Sequence, residues 1–247
     1  MDQLSPQLMH KLVFTVLMHG LNENQTPVAH KVLLEALNHP NPQVRELAVV
    51  ALADLPVGSV KRVAALALAL ADPVGRVRRR AARAIGDQGS AGVDALPHLI
   101  NGLRDVDPSV RRDCAGACGR LGPAAGAAAP RLVSLLAEPE ARTRAVMAVS
   151  LKRVGPAAVP ALLDGVRSDD AELRGRCAAL LASIAPNDPH VAEVLELAST
   201  DEVVELRGRS DAALRHVQTP PPVCVPRPRG GLNLQPADDL ADALLTD

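Results

Sequence analysis

Residues 107–125 read DPSVRRDCAGACGRLGPAA, and their reading decides the fold. Asp107 before Pro108 is a helix start. The carboxylate can accept an orphan amide, and proline loses nothing at a first helical position whose N–H has no intrahelical partner. Val110, Cys114 and Cys118 then follow at spacings of four, on one face of a helix. Gly122-Pro123 ends that helix and opens the next.

Aligned on Arg111, the chain shows a column of arginines: Arg45, Arg78, Arg111, Arg144, Arg174 and Arg207, at steps of 33, 33, 33, 30 and 33 residues. One residue before each stand Val44, Val77, Val110, Thr143, Leu173 and Leu206. Three after come Ala48, Ala81, Cys114, Met147, Cys177 and Ser210; seven after come Leu52, Ile85, Cys118, Leu151, Leu181 and Leu214. These offsets share a helix face, so each unit holds a helix with a narrow apolar stripe of partly small residues. A companion helix is expected before it, over 93–104, 128–137, 158–167 and 191–198. Pro97, Pro130 and Pro160 stand near its start, with Leu99, Leu132 and Leu162 two residues on. Asn41-Pro42 and Asp107-Pro108 read as N-cap and first helical residue, and Asp72-Pro73 and Glu138-Pro139 as variants two residues longer. Leu121-Gly122-Pro123 matches Val154-Gly155-Pro156, each glycine being expected in a left-handed helix cap. A period of this length is the signature of stacked helical repeats.

Asp107-Pro108-Ser109-Val110-Arg111, Ala115, Gly119, Leu121-Gly122-Pro123-Ala124-Ala125 and Pro130 with Leu132 together resemble HEAT repeats, within them the short phycobilisome-lyase-like type. The resemblance covers residues 27–217 as six repeats. It implies an all-α chain, a right-handed α–α superhelix (HEAT-like solenoid) of about six helix pairs, with the second helices on the concave side. Residues 1–26 read as an N-terminal capping helix, with Leu8, Leu12, Phe14 and Leu17 on its apolar side. Residues 218–247 read as a flexible proline-rich linker and an acidic tail. In that tail Leu240, Leu244 and Leu245 fall on one side of a short helix over 236–246, either a frayed end or a docking peptide.

Ala and Leu dominate the apolar residues, while Trp and Tyr are absent and Phe14 is alone. This composition excludes an all-β fold and any function built on base stacking or an aromatic cage. The resemblance also reaches alkylpurine DNA glycosylases, but those rely on aromatic residues that this chain lacks. The cysteines Cys114, Cys118, Cys177 and Cys224 form no CxxC pair, and the first three fall in apolar columns, so they read as core. None of the seven histidines makes a close ligand pair. No His-Glu dipeptide of the kind that holds iron in deoxyhypusine hydroxylase occurs. No nucleophile motif or phosphate loop is present. No catalytic residue, metal or cofactor is therefore assigned. The N-terminus lacks the features of a signal peptide, and the longest apolar run, Val63 to Ala71, is too short to span a bilayer. A cytoplasmic protein without a membrane partner is expected.

Net charge is −1, but its layout is uneven. Residues 41–155 carry 17 basic and 10 acidic side chains, and 156–217 carry 6 and 11. Arg111 is expected to pair with the turn acid Asp107, four residues before it. Asp169-Asp170 reads as a helix cap. Offsets +1, +2, +5 and +9 from the arginine column lie away from the core stripe. There stand Arg79, Arg80, Arg83, Arg112, Arg120 and Arg153, a candidate basic face on the concave side. The expected function is a non-catalytic scaffold that binds an acidic segment of another protein. Nucleic-acid backbone binding is the less favoured alternative. A bilin-lyase-like enzyme or accessory subunit is suggested by repeat type alone.

Overall fold

The computed structural model describes residues 26–54 and 60–199. They form helix pairs: α1 (Thr26–Ala36) with α2 (Pro42–Asp54), and α3 (Val60–Ala69) with α4 (Gly75–Asp87). Next come α5 (Leu96–Gly102) with α6 (Pro108–Leu121), then α7 (Ala129–Ser134) with α8 (Ala141–Val154). Then α9 (Val159–Gly165) pairs with α10 (Ala171–Ile184), and α11 (Pro189–Ser199) follows. No strand occurs among the described residues, and the architecture is the expected all-α solenoid. The capping helix over 1–26, the Arg207 helix and the 218–247 tail lie outside the described residues, apart from position 26.

The columns read in the sequence are the core. Val44, Ala48, Leu52, Val77, Ala81, Ile85, Val110, Cys114 and Cys118 are all buried. A second column runs through the first helices. Leu33, Leu66, Leu99, Leu132, Leu162 and Leu195 step by the same 33-, 33-, 33-, 30- and 33-residue intervals and are fully buried. Each such leucine contributes about 2–3 kcal/mol of apolar transfer. The first helices of units three to five are shorter than the sequence suggests, because 3-10 turns at Gly89–Ala95, Gly122–Ala128 and Gly155–Ala158 precede them. Pro97, Pro130 and Pro160 then occupy the first turn of the α-helix proper, where a missing amide is tolerated.

The turn residues cap as expected at three places. Asp107 Oδ1 accepts the Ser109 amide at 2.7 Å, Asn41 Oδ1 the Gln43 amide at 2.9 Å, and Asp170 Oδ1 the amides of Glu172 and Leu173. The glycine caps differ from expectation. Gly122 (φ 65, ψ −142) and Gly155 (φ 67, ψ −140) have positive φ with an extended ψ, not the left-handed helical cap. That region is open to glycine alone, because the chain must swing directly into a proline-led 3-10 turn.

Arg111 also differs. Its Nη2 meets Glu138 of the next unit at 3.2 Å, while Asp107 is engaged as the N-cap. The same pattern runs down the column. Arg45 Nη1 donates to the carbonyls of His39 and Pro40, and its Nε and Nη2 grip Asp72 at 2.6 and 3.0 Å. Arg78 Nη1 donates to the carbonyls of Asp72 and Pro73, and Nε and Nη2 grip Asp105 at 2.6 and 2.8 Å. Each arginine thus ties its own turn to the turn of the following unit. At Arg144 the carbonyl bonds to Glu138 and Pro139 persist, but Ser168 holds the place of the acid in the next unit.

The stretch Ala141–Gly165 has the length and the mean hydropathy, 1.4, of a membrane-crossing helix. It is two helices, α8 and α9, broken at Gly155. Met147, Leu151, Val154 and Leu162 from it are buried in the core of the array.

Candidate partner-binding face

The second helices α2, α4, α6 and α8 stack on one another more extensively than the first helices do, which makes their layer the inner one over the first four units; between units four and five it is the first helices α7 and α9 that pack more closely. Small residues allow this. A Cβ on Gly119 of α6 would lie 3.0 Å from Ser150 Cα of α8. The outward side of the same helices carries the candidate arginines.

Four of them converge. Arg79, Arg83, Arg112 and Arg120, with Arg142, wall a cleft of about 570 Å³ between α4, α6 and α8. Two carboxylates, Asp87 and Asp113, share that wall. Asp113 Oδ2 and Oδ1 bind Arg79 Nε at 2.9 Å and Arg83 Nε at 3.0 Å, one turn apart on the neighbouring helix. Arg120 Nε reaches Asp87 at 3.2 Å by lying across Gly86, where a Cβ would come within 2.5 Å of Nη2. Arg112 Nη1 binds Glu140 at 2.6 Å, and its Nη2 donates to Ser109 Oγ at 2.9 Å. A hydrogen bond from Thr143, with the nearby Arg112 and Arg142 charges, holds the Glu140 carboxyl below its ordinary pKa.

The other two candidates stand apart. Arg80 turns to the α2 side, where Glu46 bridges it at 3.0 Å and Arg76 at 3.1 Å. Arg153 is exposed, outside the cleft, and makes no ion pair among the described residues. Sequence reasoning missed Arg142, Arg76 and the interleaved acids. The signal was present: Asp113 lies 34 and 30 residues after Arg79 and Arg83, and Glu46 lies 34 and 30 before Arg80 and Arg76. It also missed Arg62, which is 1% exposed and donates from Nη2 to Gln88 Oε1.

The cysteines are core residues. Cys114, Cys118 and Cys177 are free and fully buried. Burial pushes all three thiols up, Cys118 and Cys177 to about 12. A thiolate is the reactive form, so none is available near neutral pH. The expected result is that iodoacetamide modifies these three cysteines only after unfolding, as read by peptide mass spectrometry. Native-state labelling of any one at the rate of a free thiol would contradict this placement.

Residues 62–152 match the HEAT repeats family. No curated protein matches the chain. An engineered protein solved by structural genomics shares 21% identity over 76% of this chain and 96% of its own, with a TM-score of 0.50. A second engineered protein shares 20% over 86% of this chain and 69% of its own, at 0.51. The complex of CpcE and CpcF of phycocyanin lyase from Nostoc is similar at 22% identity, covering 74% of this chain and 75% of its own. Its TM-score of 0.46 is too low to carry the lyase expectation across. Likeness at these identities speaks for the fold alone. The helix pair and the arginine column of the matched residues continue on both sides of them, through α1 and α2 before and α9 to α11 after, so the fold of the stretch that matches HEAT repeats extends across the described residues.

Proposed function

We propose that the array is a non-catalytic scaffold that holds an acidic segment of a partner protein along its second-helix face. The observation that carries this is the cleft in which five arginines face two carboxylates. Part of that charge is already matched within the fold. An incoming carboxylate therefore exchanges one partner for another at Arg79 and Arg83, and gains most at Arg142. Such a site gives orientation and a salt-dependent association rate more than raw affinity. Reversing Arg80 and Arg83 would set like charges against Glu46 and Asp113 and test folding and binding together, so Arg142 is the cleaner probe.

The test is a photo-crosslinking residue at Gly116, where a Cβ meets only Arg120 Nη1 at 3.7 Å. A control carries it at exposed Pro97 of α5. In host cells the expected result is a discrete protein adduct at 116, absent at 97 and reduced at least tenfold by Arg142→Glu. An adduct destroyed by nuclease would favour nucleic acid instead. Equal adducts at both positions would remove the assignment of this face.

A further inference from the structure

A second groove lies between α8 and α10, rotated about one residue toward the first helices relative to the arginine cleft and with different walls. Offsets +1 and +5, which are Arg79 and Arg83 in α4, are Ala145 and Val149 in α8. In α10 the +5 position is Ala179. The groove is an apolar channel of about 330 Å³, walled by Leu136, Ala145, Ala148, Ala179 and Leu180. Arg144, Lys152 and Arg176 border it. Val149, one residue from Ala148, is 51% exposed. An apolar channel with cationic edges complements an acidic amphipathic helix.

The chain carries such a segment. Residues 236–246 read PADDLADALLT. Pro236 followed by Asp238 and Asp239 suits a helix N-terminus. At 100° per residue, Ala237, Leu240, Ala241, Leu244 and Leu245 fall on one side, and Asp238, Asp239 and Asp242 on the other. Residues 218–235, read from the sequence as the flexible linker, join it to the repeat array, a length whose r.m.s. span is about 23 Å. Packed helices lie about 10 Å apart, so reach back to α8 and α10 is not limiting. A tether of this length supplies an effective concentration of about a millimolar, enough to favour a weak contact.

We propose that residues 236–246 dock as a short helix in the α8–α10 groove of the same chain, leucines in the channel and aspartates toward Lys152, Arg144 and Arg176. This rests on the second-helix face being the binding surface. It makes the tail a built-in occupant of that face, which an external acidic partner must displace or extend.

The test uses the full chain and a fluorescein-labelled peptide of residues 232–247. The double variant Leu240→Asp/Leu244→Asp vacates the groove, and it should bind the peptide at least tenfold more tightly than the unaltered chain by anisotropy. Adding Ala145→Glu and Ala179→Glu, both at exposed helix positions, should weaken that binding at least tenfold while far-UV circular dichroism is unchanged. No peptide binding by the double variant, or equal binding by the unaltered chain, would overturn the proposal. So would indifference to the groove substitutions. A dimer of the unaltered chain that becomes a monomer in Leu240→Asp/Leu244→Asp would also overturn it, because the tail would then reach a second copy. Loss of peptide binding with the Gly116 adduct intact sinks tail docking alone; peptide binding without that adduct sinks the partner reading alone.

Discussion

Arg78→Ala is expected to destabilise the fold by about 2–4 kcal/mol. The change leaves Asp105, whose side chain is 10% exposed, without its two-point partner. It also leaves the carbonyls of Asp72 and Pro73 without their donor. In an array of this size that corresponds to a fall in Tm of about 5–15 °C. Arg120→Ala is the contrast. Its pair with Asp87 is 34% and 65% exposed, and its loss should cost about 0–1 kcal/mol. Equal melting of the two variants would show that the arginine column is not a structural tie. The pH dependence follows the same pairs. Burial alone would raise the Asp105 carboxyl. The hydrogen bonds from Arg78 and the Asp107 amide, with the Arg78 and Arg111 charges, outweigh it and hold the group below its ordinary value. Burial would raise the Asp72 carboxyl as well, and Arg45, the Val74 amide and Arg78 together hold it down. A depressed folded pKa means that the unfolded chain takes up protons first. This stability is therefore full above about pH 4 and lost as pH falls through the folded values. Arg78→Ala should lose less on acidification than the unaltered chain, because part of what acid removes is already gone.

The second large effect is one of volume. A Cβ on Gly102 would lie 2.4 Å from Cys114 Sγ. Gly→Ala at the end of α5 would ordinarily help by up to about 1 kcal/mol. Here overpacking of about 1–3 kcal/mol opposes it and should win, so Gly102→Ala is expected to be destabilising. Cys114→Ala alone empties a fully buried site and should cost about 1 kcal/mol. Together the two should restore most of the loss, with a coupling of at least about 1 kcal/mol between them. Additive effects in thermal or urea unfolding would show that the sulfur does not fill the space the glycine leaves. Gly165 meets Cys177 Sγ at 2.5 Å in the same way, but Val133 Cγ1 also lies 2.9 Å from that Cβ, so removing the sulfur there should restore less.

The helix pairs and their core were legible because burial repeats at the unit period. Val110, Cys114 and Cys118 fix a face, and any residue in the same column inherits it. The glycine geometry at 122 and 155 was not legible, since positive φ is implied by a glycine but ψ is set by the proline-led turn that follows. The partner of Arg111 was misplaced for a related reason. Asp107 is nearer in sequence, but a capping carboxylate is already occupied by its own helix, and the free acid comes from the next turn. The candidate face was half legible. Helix offsets show which arginines point outward. They do not show that Asp113 and Glu46 slot between those of the adjacent helix, because that needs the inter-repeat stagger. Small residues at Gly86 and Gly119 set that stagger.

The gap in the arginine column at Arg144 has a mechanical meaning. Along the column, units one to two and two to three are joined by two-point grips and units three to four by the one-point Arg111–Glu138 contact, beside which Arg112 binds Glu140; Arg144 meets no carboxylate of unit five. The array is a beam with one weaker joint, between units four and five of the described residues. A bending load concentrates its strain at the α8–α10 junction, while the first units turn as one stiff arm. Whatever fills the groove at that joint acts as a shim and sets the angle between the two arms.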